Sequence, residues 1–205
     1  MEDVDAWQPN LLDEICDTFN EFVWFEDNAY LVTTVLWDLH THVYDQFDYT
    51  PRLALLSVVH ASGKTTTLKL LNQICRNPRH RKNLSVANLY HLMDEEHPSV
   101  LQDEAENMLW DNPDLVSLYN SGYEFPGIWG RYIGGRREEY NVYGPLCIGF
   151  WLGGGARLPP ATSLSRSIRI PVDRAPTQIR NTLTKFSEKK PEVMATLAAL
   201  RQRIE

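Results

Sequence analysis

The chain has 205 residues, 43% of them hydrophobic, which suits one domain, or one domain plus a small appendage, with a sizeable core. Its formal net charge of −7 excludes a blanket nucleic-acid coat and leaves only local contacts of that kind. Cys16, Cys75 and Cys147 are far apart in apolar settings and read as reduced core thiols; the acidic start carries no signal-peptide pattern and no apolar run reaches membrane-spanning length, so a cytoplasmic protein without membrane attachment is expected.

Taken in order, Leu11, Leu12, Ile15, Cys16 and Phe19 recur at helical spacing and predict an amphipathic helix over 10–22. A turn at Glu26-Asp27-Asn28 follows, where Asp27 or Asn28 can cap a second helix over 28–46. Its wide apolar face (Leu31, Val32, Val35, Leu36, Leu39, Val43) suggests packing on a main sheet. His40 and His42 sit two apart, on different sides of that helix, and read as surface or packing residues rather than metal ligands. Pro51 ends the helical stretch, and a strand over 53–59, apolar on both faces, fits the centre of a parallel sheet.

The next residues, His60-Ala61-Ser62-Gly63-Lys64-Thr65-Thr66, lead into a helix over 63–75. Strand, small-residue loop and helix start form the order of a phosphate-binding loop, because exposed N–H groups and the helix dipole attract phosphate oxygens. Residues 60–66 would cradle the phosphates, with Lys64 reaching the β- and γ-phosphates and Thr65 ligating Mg²⁺. The first glycine of the full pattern is replaced by Val58, and the plainer alternative is a strand–turn–helix corner with an exposed lysine.

Arg76 to Lys82 is the densest basic cluster, either a solvated connection at a helix C-terminus or a phosphate-backbone contact. A short strand over 83–87 and a helix over 88–96 follow. Pro98 to Glu104 then reads as a strand ending in two acids. In P-loop ATPases the first acid holds Mg²⁺ and the second polarises the attacking water, so Asp103 and Glu104 take those roles here unless they merely cap a helix starting near Ala105.

A helix over 112–122 ends at Gly122, a candidate C-cap. Residues 123–144 read as a hairpin or exposed loop. Arg131, Arg136 and Arg137, interleaved with Trp129 and Tyr132, suit single-stranded nucleic acid, or the aromatics pair within a hairpin. An apolar strand over 145–152, a Gly153-Gly154-Gly155 loop near the nucleotide, a short helix within 159–165 and a strand over 168–172 follow. Residues 175–187 and 190–203 read as two polar helices.

Five strands with helices between them look like the core of the AAA+ and related P-loop ATPases. The segments 36–42, 50–57, 62–66, 103–105, 118–123 and 164–171 more closely resemble an uncharacterised family of ATPase domains from phages, plasmids and bacterial mobile elements, often attached to primase or toprim modules. The resemblance implies an α/β P-loop NTPase (AAA+/ASCE-like) with a five-stranded, mainly parallel sheet. Its parts would be an N-terminal helical segment (1–50), the core (51–174) and a reduced helical lid (175–205). It further implies ATP and Mg²⁺ as ligands, a homo-oligomer in which Arg166 acts in trans as an arginine finger, and single-stranded DNA or a primase as partner. Arg166 capping the preceding short helix is the alternative, and no polar sensor residue follows the 145–151 strand. A small-molecule or nucleoside kinase and a non-catalytic scaffold are the rival functions.

Overall fold

The computed structural model describes residues 10–82, 84–105, 112–154 and 158–205. Helices α1 (Leu11–Phe22) and α2 (Asn28–Val43) open the described chain. Asn10 caps the first by accepting from the Asp13 N–H, and Asp27 caps the second by accepting from Ala29. Strand β1 (Arg52–Ser57) leads through the loop to α3 (Lys64–Ile74). Then come β2 (Pro78–Arg81), α4 (Val86–Glu96), β3 (Ser99–Gln102), α5 (Pro113–Ser121), the hairpin β4 (Ile128–Ile133) and β5 (Arg136–Asn141), and β6 (Leu146–Trp151). A one-turn helix, α6 (Ala161–Leu164), precedes β7 (Ser167–Pro171); α7 (Thr177–Arg180) and α8 (Pro191–Ile204) complete the described elements.

Strands β2-β3-β6-β1-β7 form one sheet in that order, and every pairing is parallel. Alternation along the strands separates two cores. Leu53, Leu55, Leu101, Cys147 and Ile170 face α1, α2, α3 and α8, whereas Ala54, Val100, Leu146, Ile148 and Phe150 face α4, α5 and the hairpin. All three cysteines are buried free thiols, as their settings predict.

The strand expected over 83–87 lies earlier, at Pro78–Arg81, inside the basic cluster; 86–96 is helix, capped by Ser85. A sheet edge tolerates both proline at the first position and charged side chains. Arg79 pairs with Glu96 at 2.5 Å and Arg76 with Asp45 at 2.8 Å, so acids at the edge already engage this cluster. The helix expected over 175–187 is a single turn at 177–180.

Trp129 is only 6% exposed, stacked at 5.3 Å on Tyr90 and paired in register with Tyr140. It is therefore not available to stack on nucleic-acid bases, and the hairpin follows its internal-pairing alternative. Gly134 and Gly135, both at positive φ, turn it.

The stretch from Trp37 to His42 is a clamp. The Trp37 indole N–H donates to the Pro51 carbonyl at 2.8 Å, His40 bonds Thr50 at 3.1 Å, Thr41 accepts from the Arg76 N–H, and His42 bonds the Ile74 carbonyl at 3.0 Å. Both histidines thus have packing partners. Arg52, fully buried at the start of β1, donates to the Tyr119 and Gly144 carbonyls and ties α5 to the sheet. Gly122 is not in a left-handed cap conformation. It is needed because a Cβ there would sit 2.0 Å from the Val142 carbonyl oxygen.

Candidate functional site

Because the sheet is parallel, the loops leaving β1, β3, β6 and β7 emerge along one edge, where ligands bind in open α/β sheets. The loop after β1 is held by its own backbone and side chains. Ser57 Oγ donates to the Val59 carbonyl at 2.7 Å, and Ala61 and Gly63 adopt left-handed φ values of 54° and 108°. Gly63 also accommodates Val23, whose Cγ1 would lie 3.3 Å from an added Cβ. Gly63 begins α3 without a side-chain cap, whereas Asn10, Asp27, Ser85 and Asn112 cap α1, α2, α4 and α5. The first N–H groups of α3 therefore receive no side-chain acceptor from the cap position.

Thr65, on the first turn of α3, donates its hydroxyl proton to Asp103 Oδ2 at 2.8 Å. Asp103 follows β3, is 2% exposed, and uses its other oxygen to accept from the Glu104 N–H at 3.1 Å. Strand β6 lies between β3 and β1, so the Asp103 carboxylate has to cross it. Gly149 of β6 leaves the way open: a Cβ there would meet Asp103 Oδ1 at 3.2 Å and Leu68 at 3.3 Å. Glu104 has φ 59°, a conformation rare for a non-glycine residue, and its carboxylate sits 3.5 Å from the Lys82 ammonium.

Two cavities meet at Ala61, Lys64 and Thr65. One, about 320 Å³, lies between the loop, Val23 and Trp24 at the end of α1, and Arg174, Arg180 and Leu183 beyond β7. The other, about 310 Å³, is lined by His60, Lys64, Thr65, Asp103, Glu104 and Trp151. Together they gather the expected residues 60–66, Asp103 and Glu104. Three cations, Lys64, Arg174 and Arg180, line the first cavity, and the second holds the two acids. Such an arrangement suits a polyanion at the helix start with a divalent cation between it and Asp103. Thr65 and Asp103 supply two hard oxygen donors, the kind Mg²⁺ takes. No cluster of three or more His, Cys, Asp or Glu side chains that could hold a metal exists among the described residues.

Arg166 stands apart from this cleft, before β7 at the opposite end of the strands. There it donates to the Thr162 carbonyl at 2.8 Å and lies 5.9 Å from the centre of the Tyr123 ring. Gly155 and residues 106–111 lie outside the described residues. Sequence reasoning missed Gly149, Trp151, Arg174 and Arg180. A glycine inside an apolar strand is a signal of close approach; Arg174 falls between the last expected strand and the next expected helix, and Arg180 lies in the 175–187 stretch read simply as polar helix. Arg174 donates to the His60 carbonyl at 2.9 Å and so secures the loop from the far side.

No helix among the described residues is long and apolar enough to cross a membrane. No protein-family model matches the chain, and no curated protein matches it.

Proposed function

We propose that this chain is a P-loop NTPase that binds ATP at residues 60–66 and hydrolyses it with Mg²⁺. The observation that carries the reading is the 2.8 Å contact between Thr65 and the buried Asp103, made across an intervening strand at the uncapped start of α3. A hydroxyl and a carboxylate so paired, with Lys64 beside them, form the protein side of a metal–phosphate site. The cations of the first cavity and its apolar residues Val23, Trp24 and Leu183 support a ligand with a charged and a flat apolar end.

In the reaction, Thr65 and Asp103 would hold Mg²⁺, which when bound would neutralise phosphate charge. Glu104 orients a water and takes its proton as the water oxygen bonds to the γ-phosphorus. The bond from that phosphorus to the β,γ-bridging oxygen breaks, and the electron pair stays on ADP. Lys64 and the first N–H groups of α3 stabilise the charge that develops on the phosphate oxygens. Arg166, remote from the cleft of its own chain, serves a neighbouring copy as an arginine finger in a homo-oligomer. Work beside single-stranded DNA or a primase follows from the mobile-element resemblance.

Lys64→Ala is expected to abolish ATP binding, whereas Glu104→Gln keeps binding and loses turnover, as read by titration calorimetry and phosphate release. Equal ATP affinity in wild type and Lys64→Ala would overturn the site. The reading as a nucleotide-binding scaffold without turnover draws on two observations: Trp151 ends β6, and Lys82 pairs with Glu104. Tight ATP binding with no phosphate release from an oligomeric preparation, with and without single-stranded DNA, would favour it.

A further inference from the structure

His60 stacks its imidazole on the Trp151 indole, with ring centroids 4.5 Å apart and planes at 24°. Trp151 ends β6, the strand that separates the loop strand from the acid strand, and the pair lines the same cavity as Lys64 and Asp103. The indole is closely supported. A Cβ on Gly153 would lie 2.8 Å from its ring, one on Gly154 would lie 3.0 Å away, and Gly154 has φ 65°. The His60 backbone is secured in turn by Arg174 on its carbonyl. The ring is thus held by a flat surface on one side and its main chain by a guanidinium, while His60 lines the compartment that contains the two acids.

We infer that His60 is a ligand of the terminal phosphate, donating a ring N–H to a γ-phosphate oxygen while Trp151 fixes the plane of the imidazole. The inference rests on the ATP reading. A compartment that presents Asp103 and Glu104 repels phosphate oxygens unless donors face them from the other walls, and Lys64, His60 and the indole N–H of Trp151 bear donors there, the Thr65 hydroxyl being engaged by Asp103. The stack holds the imidazole plane and directs its N–H groups edge-on, away from the indole face.

ADP lacks the phosphate that His60 contacts, so the test is discrimination between the two nucleotides. Mg-ATP and Mg-ADP are titrated calorimetrically into wild type, His60→Ala, His60→Gln and Lys64→Ala. His60→Ala is expected to weaken ATP about tenfold and ADP less than about twofold. Glutamine, which keeps an N–H donor, restores part of the difference, and Lys64→Ala weakens both nucleotides. Tryptophan emission should also change more with ATP than with ADP in wild type, and equally with both in Trp151→Phe. If His60→Ala leaves the ATP-to-ADP ratio unchanged while Lys64→Ala weakens both nucleotides, His60 is loop packing and this inference alone falls. Wild type that binds neither nucleotide overturns the ATP reading and the role of His60 with it.

Discussion

At the scale of single residues, the pairing of Thr65 with Asp103 depends on a side chain that is absent. Gly149 leaves a passage across β6 through which the acid reaches α3. Gly149→Val is expected to displace Asp103 and weaken Mg-dependent ATP binding at least about tenfold, at a stability cost of about 1–3 kcal/mol for overpacking. Calorimetry with Mg²⁺ and with EDTA checks it, because nucleotide binding without metal should change far less. Lys64, Thr65 and Asp103 were legible in the sequence because each lies in a short local pattern: a strand, then the residues its chemistry needs. Gly149 and Trp151 were not, since their importance lies in what they approach from an adjacent strand, which spacing along one chain does not encode.

At the scale of elements, the apolar and capped segments were legible, and α1, α2, α3 and α5 begin within a residue or two of their expected starts. Strand β2 was not, because an edge strand needs neither an apolar run nor alternation; its Pro-Arg-His-Arg sequence carries the opposite signal. The hairpin shows the same limit. Its sequence offers aromatics and arginines without revealing which face the core, and register sets that: Trp129 lies opposite Tyr140 against Tyr90, while Tyr132 lies opposite Arg137 and is 75% exposed. Trp129→Ala is therefore expected to cost about 3 kcal/mol in urea denaturation, and Tyr132→Ala within about 0.5 kcal/mol of nothing. Loss of nucleotide affinity in Trp129→Ala with no change in stability would contradict a packing role.

At the scale of the whole molecule, stability should carry a pH signature from Asp38. This residue is fully buried on α2, and neither carboxylate oxygen finds an N–H or O–H donor among the described residues. Burial pushes its pKa up to about 7, against weaker opposing effects from Cys75 and Arg201. Between the unfolded value near 3.9 and that folded value, the folded state holds a proton that the unfolded state releases, so stability falls as pH rises through the interval and levels off above about 7. Asp38→Asn is neutral throughout. Its stability relative to wild type should grow between about pH 4 and 7, by up to about 4 kcal/mol, in urea melts across that range. Parallel curves for the two proteins would refute the assignment.

The wall of the cavity between the loop and Arg174 has a consequence at this same scale. Residues 22–24 and Arg174, Ala175, Arg180 and Leu183 line it from distant parts of the sequence. They are joined by the Thr184 N–H on the Glu21 carbonyl at 2.9 Å, and farther back by Arg203 on Glu14. A molecule held between two such segments acts as a third tie. Occupancy and docking then form one linked equilibrium, in which a ligand that prefers the docked wall favours docking of the segment after β7, and undocking of that segment weakens the hold on the ligand to the same degree.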